Sequence, residues 1–189
     1  IRAQAFIDYA NDPRFDAIWF ARGGYGSCRI AEAVLPHLNE TARGKRYLGY
    51  SDVGTLFGAL YRAGFQHLAH GPMASDAVRR DETAKGCLDW LVHGGKSWFE
   101  PSLAAETRKV AAFNLTIIDQ LAGTPLEPDL TDHVLMLEEV GEALYRIHRM
   151  MFHLTSQASI RKVAGIRLGR FSDITYNEPD FGLTPDEIV

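Results

Sequence analysis

Apolar positions along the chain alternate between a helical period and short unbroken runs. The first segment carries apolar side chains at a helical spacing, which predicts a helix over 1–11. The runs at 16–21 and 47–50 lack that spacing, and their short length and aromatic or β-branched content predict buried strands. Each run leads through a turn into a new helical pattern, at 29–38 and 52–63 respectively.

The repeated order of strand, turn and helix predicts an α/β fold with parallel, doubly wound sheets. We expect an N-terminal α/β domain over 1–75, a crossing segment over 76–105 and a second α/β domain over 106–189. The other predicted elements are strands at 65–70, 133–137 and 162–171, helices at 82–94, 114–121 and 141–158, and a polar loop at 39–46. Because parallel strands carry their chemistry at their carboxyl ends, the turns at 23–27 and 49–52 are expected to face one crevice.

Both ends of the chain are interpreted as incomplete. The sequence does not begin with Met, opens inside a helical pattern, and stops one turn after a capped helix start at 184–187. We therefore expect both domains to be incomplete, the N-terminal one lacking its first strand and the C-terminal one its last segment.

Composition and charge exclude several classes of function. The 189 residues are 46% hydrophobic and 23% charged, with a formal net charge of −4 and scattered basic residues, so no nucleic-acid partner is expected. No apolar run approaches the ~20 residues that cross a bilayer, so no membrane partner is expected. The two cysteines, Cys28 and Cys87, lie far apart and form no disulfide framework, which indicates a reducing, cytoplasmic compartment.

A single serine stands where the second predicted strand meets its helix, in the segment Gly-Tyr-Ser-Asp-Val-Gly at 49–54. A sharp strand-to-helix turn exposes a side chain and points the first helical N–H groups into the same space, as a nucleophile requires. Ser51 is therefore a candidate nucleophile, and Gly49 removes a Cβ where the turn is tight. The alternative is that Ser51 only caps the helix.

A glycine-rich turn, Gly23-Gly24-Tyr25-Gly26, follows the first predicted strand. Its backbone N–H groups could stabilise an oxyanion, or they could hold a phosphate. The spacing is not that of a dinucleotide fingerprint, and there is no P-loop lysine. A third interpretation is a tight turn that needs positive φ and has no chemical role.

Five blocks of the sequence, taken in order, resemble the LD-carboxypeptidase family of serine peptidases. The blocks are ARGGYGSCRI, LGYSDVGTL, HGP, AFNLTIIDQLAGTP and VLMLEEVGEALYRIHRMMFHL, and they run over nearly the whole chain. The family includes murein tetrapeptide carboxypeptidases and microcin-immunity peptidases. The resemblance also implies a homodimer.

The resemblance assigns roles to particular residues. Ser51 is the nucleophile, and the backbone N–H groups of Gly24 and Asp52 form the oxyanion hole. In addition to these roles, we expect Gly23, Tyr25 and Asn114 to bind substrate.

The resemblance places the triad acid at Glu138, which ends a predicted strand. Two other carboxylates lie close by in the sequence. Strand alternation directs Glu139 to the opposite face. Glu142 opens the next predicted helix, where a carboxylate suits the helix dipole.

The triad base has no candidate in the chain. In the family it is a histidine in a Ser-Gly-His-like loop after the strand that corresponds to 163–169, and none of the seven histidines here has that setting. His70 ends a strand before Gly-Pro and is interpreted as structural. Because serine without a base is a poor nucleophile, we expect this chain to be close to inactive, although the parent protein is an enzyme.

The resemblance implies acyl transfer on a murein-derived peptide during peptidoglycan recycling. The bond cleaved is the L,D-amide to the terminal D-alanine of a cytoplasmic murein tetrapeptide. Three alternatives remain: hydrolysis of a peptidyl-nucleotide antibiotic, a non-catalytic binding module, and a phosphate binder that uses the turn at 23–26. The reaction needs no metal or cofactor, and no metal-ligand spacing such as HExxH occurs in the sequence.

Overall fold

The chain folds into two compact units, each with its own sheet. The computed structural model describes residues 1–79, 81–96, 100–103, 105–175 and 177–189. The units are Ile1–Glu106 and Thr107–Val189. Each contains a three-stranded sheet in which all pairings are parallel, so the predicted α/β class is confirmed.

The first unit is a parallel sheet whose strands are connected by helices. Its strands are β1 (Ala17–Trp19), β2 (Arg46–Gly49) and β3 (Leu68–His70), and its helices are α1 (Arg2–Asn11), α2 (Ala31–Val34), α3 (Glu40–Gly44), α4 (Val53–Arg62) and α5 (Glu82–His93). The strand order is β1-β2-β3, with Trp19 paired to Leu48 and Leu48 paired to Ala69. Because the strands are parallel and in register, their carboxyl ends lie at one edge.

Helix α4 lies at the centre of the core of the first unit. Every residue from Val53 to Leu60 is buried, and the ring of Phe57 packs edge-on against Phe20 at 5.8 Å between centroids. Tyr47 of β2 is fully buried, and its hydroxyl donates to the carbonyl oxygen of Ala42 at 2.7 Å. Burial raises the pKa of the Tyr47 hydroxyl above its usual range. The turn between β2 and α4 is therefore flanked by buried residues on both of its sides.

Helix α5 packs against the first sheet, although its sequence lies in the segment predicted as a domain crossing. Its N-cap is Asp81, whose side chain accepts from the Ala84 N–H at 3.0 Å, and it ends at Gly94 in the left-handed conformation. The buried cluster formed with the sheet consists of Leu48, Ala69, Cys87, Trp90 and Leu91. Part of the segment 76–105 thus contributes to the core of the first unit.

The connection between β1 and β2 differs from its prediction in two places. The helix predicted at 29–38 is interrupted, because Pro36 has no N–H with which to continue an α-helical ladder. The loop predicted at 39–46 contains α3, which Asn39 caps by accepting from the Ala42 N–H at 3.1 Å. A helix of five residues is too short to show a hydrophobic period, so the pattern alone could not reveal it.

The second unit repeats the arrangement of a parallel sheet with helices between the strands. Its elements are β4 (Val110–Asn114), α6 (Leu115–Leu121), β5 (Val134–Val140), α7 (Leu144–Ser156), β6 (Gly165–Ser172) and α8 (Pro185–Ile188), with strand order β4-β5-β6. The pattern did not predict β4, because Ala111 and Ala112 have little preference for strands. The predicted helix start before α8 is confirmed: Thr184 and Glu187 form a reciprocal capping box.

The helices are short in the part of the chain that the structure describes. The longest of them there, α7, has 13 residues, and α5 has 12. A helix that crosses a bilayer needs about 20 apolar residues. None of the described helices has the length and apolar character required to cross a membrane.

The packing of α5 on the first sheet predicts unequal effects for two leucines of that helix. Leu91→Ala removes a buried side chain and is expected to lower the free energy of unfolding by about 2–5 kcal/mol. Leu88→Ala, at a position 51% exposed, should change it by less than about 1 kcal/mol. Denaturant unfolding followed by tryptophan fluorescence measures both, because all three tryptophans of the sequence lie within 1–106. Equal effects would show that α5 is only loosely attached.

The two cysteines are expected to differ in reactivity. Cys28 is exposed, whereas Cys87 is fully buried and burial raises the pKa of its thiol to about 11. Since the thiolate is the reactive form, iodoacetamide at pH 8 should alkylate Cys28 in the native protein and leave Cys87 unmodified. Mass spectrometry of tryptic peptides, with a guanidinium-unfolded sample as the control, makes the comparison. Modification of Cys87 at a similar rate in the native protein would contradict the packing of α5.

Candidate active site

The segments that follow the three strands of the first sheet meet at its carboxyl edge. The Phe20 N–H donates to the Leu48 carbonyl at 3.0 Å, and the Gly71 N–H donates to the Gly49 carbonyl at 3.1 Å. The chain after β3 then turns back across β1, where the Ala74 N–H donates to the Phe20 carbonyl at 2.9 Å. The turns that contain Gly23 and Ser51 lie at this same edge, as the parallel pattern predicted.

Ser51 has a left-handed backbone conformation. Its φ is +59°, a region in which a residue with a Cβ is strained by roughly 1–3 kcal/mol. Its carbonyl oxygen accepts from the Gly54 N–H at 2.8 Å, which closes the turn into α4. The N-cap of α4 is Asp52, with no hydrogen bond from its side chain to the helix. The interpretation of Ser51 as an N-cap is therefore wrong.

The side chain of Ser51 lies directly against the backbone of Gly23. A Cβ added to Gly23 would stand 3.0 Å from both Cβ and Oγ of Ser51, a distance at which one of them must move. A Cβ added to Gly49 would stand 3.3 Å from Cβ of Phe20 and Cγ1 of Val53. Glycine at these two positions allows the serine turn and the glycine-rich turn to approach this closely.

Two hydrogen bonds hold the later part of the glycine-rich turn. Gly24 and Gly26 have φ of +130° and +116°, which other residues rarely adopt. At the far end of the turn, Oδ2 of Asp52 accepts from the Ser27 N–H at 2.9 Å. On the outer side, Nη1 of Arg2 donates to the Tyr25 carbonyl at 3.1 Å. The carboxylate of Asp52, which the sequence pattern did not single out, thus ties this turn to the residue after Ser51.

The structure offers little support for a phosphate site at this turn. Strong phosphate sites combine backbone N–H groups with the dipole of a long helix. Here the turn leads into a three-residue 3₁₀ turn, Ser27–Arg29, and then into α2, which has four residues. Neither piece is long enough to build a substantial helix dipole.

Glu138 lies near the carboxyl end of β5 in the second unit. It pairs with Asn114 of β4 and is half-buried, with its Oε1 atom buried. Opposite it, β6 carries one extra residue: Leu137 pairs with Leu168, and Glu139 pairs with Phe171. Bulges of this kind occur next to active sites, where they redirect a side chain.

The two neighbouring carboxylates have other partners. Glu139 is 2% exposed, and its carboxylate accepts hydrogen bonds from Asn114 and Thr116. Glu142 forms an ion pair with Arg146 at 3.4 Å.

Asn114, predicted to bind substrate, is buried. Its Oδ1 accepts from the Ile117 N–H at the start of α6, and its Nδ2 donates to Glu139. Its observed contacts are structural.

Histidines of the second unit make contacts that the sequence pattern did not reveal. His153 pairs with Asp119 at 2.7 Å, and its other ring nitrogen meets the side-chain amide of Gln157 at 2.7 Å. His148 packs edge-on against Phe181. Asp119 lies 34 residues from His153 in the sequence, so no local spacing could have indicated that partner, whereas Gln157 follows His153 by four residues. In the first unit the ring of His70 packs on Tyr50.

Two family models together cover most of the chain. The model of the LD-carboxypeptidase N-terminal domain matches residues 1–71, and that of the LD-carboxypeptidase C-terminal domain matches residues 109–189. The chain belongs to the LD-carboxypeptidase family. The first LD-carboxypeptidase match lies within the first unit and the second within the second unit. Ser51 and Glu138 therefore fall in different domains of the LD-carboxypeptidase pattern.

Curated LD-carboxypeptidase relatives are longer than this chain. A Synechocystis sp. protein that bears the name of a carboxypeptidase is 35% identical over 180 residues, covering 91% of this chain and 58% of that protein. The murein tetrapeptide carboxypeptidase of Pseudomonas aeruginosa is 28% identical over 190 residues, covering 88% of this chain and 59% of that enzyme. The chain thus spans less than two thirds of the length of these relatives.

Solved structures with the LD-carboxypeptidase fold superpose on the chain. The crystal structure of a muramoyltetrapeptide carboxypeptidase from Oxalobacter formigenes gives a TM-score of 0.77 at 23% identity, covering 99% of this chain and 67% of that one. The microcin C7 self-immunity protein MccF gives 0.76 at 18% identity, covering 99% and 66%. At these identities the comparison establishes the shared fold.

The left-handed conformation of Ser51 predicts an unusual order of stability for two variants. Ser51→Gly should be more stable than Ser51→Ala by about 1 kcal/mol, because only glycine adopts positive φ without strain. Ser159 is the matched control, since it is exposed and has α-helical angles, φ −66° and ψ −49°. There the alanine variant should be the more stable by about 0.5–1 kcal/mol. Denaturant unfolding followed by circular dichroism measures all four variants, and the same order at both sites would refute the strained turn.

Proposed function

We propose that this chain carries the nucleophile and the triad acid of a serine carboxypeptidase of the LD type. The observation that supports this most directly is the strained turn at Ser51, packed against Gly23. Strain of this kind persists where it holds a reactive group in place. The resemblance of the sequence assigns the second role, that of triad acid, to Glu138.

The proposed reaction is acyl transfer through a covalent intermediate. Oγ of Ser51 attacks the carbonyl carbon of the amide while a histidine from outside this chain removes its proton. The backbone N–H groups of Gly24 and Asp52 stabilise the oxyanion that forms. The histidine, oriented by Glu138, returns the proton to the departing amine, and water then releases the acyl group from Ser51.

The proposed substrate is a murein-derived tetrapeptide, cleaved at the L,D-amide to its terminal D-alanine. A relative from Pseudomonas aeruginosa is named a murein tetrapeptide carboxypeptidase, and the sequence blocks of that family run through this chain. We also propose that the protein acts as a cytoplasmic homodimer in peptidoglycan recycling. Gly23 and Tyr25 are proposed to contact the peptide, since they belong to the turn beside Ser51 and Tyr25 is largely exposed.

A chimera tests the proposal, because this chain holds no histidine in the setting of the triad base. Residues 1–189 are joined to the flanking segments of the Synechocystis relative, and release of D-alanine from murein tetrapeptide is measured by chromatography and mass spectrometry. Ser51→Ala and Glu138→Ala should each lower the rate by about 10³-fold or more. A fluorophosphonate should label the parent chimera and not its Ser51→Ala variant.

A pair of glycine variants serves as the matched control. Gly23→Ala should reduce labelling strongly, because its Cβ would displace the Ser51 side chain. Gly44→Ala should leave labelling unchanged, since a Cβ there meets nothing within 4 Å. Unchanged D-alanine release in Ser51→Ala would refute the proposal. Cleavage of a peptidyl-nucleotide in place of the murein peptide would move the assignment to that substrate class, and binding without cleavage would indicate a non-catalytic module.

A further inference from the structure

The carboxylate of Glu139 is buried and receives hydrogen bonds at both of its oxygens. Oε1 accepts from Nδ2 of Asn114 at 2.8 Å and from the Val140 N–H at 2.9 Å. Oε2 accepts from the N–H of Thr116 at 2.9 Å and from its Oγ1 at 2.7 Å. Both oxygens of the side chain face hydrogen-bond donors, so a side-chain amide, whose NH₂ group would face some of these donors, does not fit the site.

These bonds connect three elements at the carboxyl edge of the second sheet. Asn114 is the last residue of β4, Thr116 lies in the first turn of α6, and Val140 is the last residue of β5. Asn114 accepts from the Ile117 N–H and the Glu139 carboxylate accepts from the Thr116 N–H, so both satisfy donors in the first turn of α6. The additional effect of the carboxylate is to fix the end of β5 to the end of β4.

The place that is fixed is the one where the sheet is least regular. The register between β5 and β6 shifts between Leu137 and Glu139, because β6 carries one extra residue there. A Cβ at Gly169 of β6 would stand 3.0 Å from the Leu137 carbonyl, so the two strands also come unusually close there. An irregular ladder restrains the backbone less than a regular one. The side chain of Glu139 supplies the restraint that the ladder lacks.

From this geometry we infer that Glu139 is a positioning residue that holds the backbone of its neighbour Glu138, and with it the direction of the Glu138 carboxylate. The two side chains leave the strand on opposite faces, so Glu139 acts through the backbone and does not touch the substrate. The inference rests on the proposed role of Glu138 as the triad acid. A small displacement of an orienting group is costly in catalysis, about 10²-fold for 1 Å.

A matched pair of variants at Thr116 separates positioning from packing. Thr116→Val removes the hydroxyl that donates to Oε2 and keeps the shape of the side chain. Thr116→Ser keeps the hydroxyl and removes a methyl group. If Glu139 positions Glu138 through these bonds, Thr116→Val should impair the position of Glu138 and Thr116→Ser should not. If only packing matters, Thr116→Ser should have the larger effect.

The first measurement uses the chain as it stands, residues 1–189. Hydrogen exchange by NMR is expected to accelerate about tenfold at the backbone amides of position 116 and of Val140 in Thr116→Val, with Leu135 unchanged as an internal reference. The ¹³C resonance of the Glu138 carboxyl group should shift in the same variant. Thr116→Ser should retain the parent exchange rates and the parent resonance. An unchanged Glu138 resonance in Thr116→Val would overturn the inference, whatever the activity of the chain.

The second measurement uses the chimera. Thr116→Val should lower kcat about tenfold with KM unchanged, and Glu139→Gln should lower kcat about 10²-fold. Thr116→Ser should restore the parent kcat. If Ser51→Ala abolishes turnover while Thr116→Val keeps the parent kcat, the positioning role is wrong and the proposed function stands. If Ser51→Ala leaves turnover intact, the proposed function itself has failed.

Discussion

The left-handed backbone of Ser51 is the constraint on which the candidate site in the first unit depends. A residue with a side chain occupies that region only when its surroundings determine the conformation. Here β2, paired on both edges, precedes the turn, and the fully buried first turns of α4 follow it. The core therefore offsets the strain of the turn, and the serine hydroxyl is kept away from the role of a helix cap.

The close approach of two turns follows from the same constraint. Because Ser51 projects toward the glycine-rich turn, a Cβ at position 23 would come within 3.0 Å of its side chain and displace it. The carboxylate of Asp52 then holds the Ser27 N–H, so one dipeptide orients both a hydroxyl group and the neighbouring amides. In the proposed function, these two turns carry the nucleophile and the oxyanion hole, an arrangement that needs no reorganisation during the reaction.

In the second unit, a buried carboxylate restrains the backbone beside the candidate catalytic group Glu138. The register between β5 and β6 shifts beside Glu138, so the ladder on that side of the strand is irregular. The buried carboxylate of Glu139 accepts hydrogen bonds from residues of β4, α6 and β5 and so joins these elements. Leaving this carboxylate or its donors unpaired would lower stability, so the contacts are maintained. In both units a polar side chain next to the candidate catalytic group holds the backbone at the carboxyl edge of a parallel sheet.

The hydrophobic pattern predicted most of the helices and strands in order, because buried strands and amphipathic helices leave local periodic signals. It missed α3 and β4, the first too short for a period and the second rich in alanine. The family could be recognised from the sequence blocks around Ser51 and Glu138, since the order of these blocks along the chain is a property of the sequence.

What the sequence determined by itself was therefore the fold class, the family and the candidate groups at positions 24, 51, 52 and 138. The positive φ of Ser51, the contact with Gly23 and the hydrogen bonds of Asp52 and Glu139 were decided only by the tertiary structure. Each of these joins residues that are distant in the chain, or sets a backbone angle that distant packing enforces. A local sequence pattern cannot indicate such contacts, because the contacts form only when separate strands end at a common edge of the sheet.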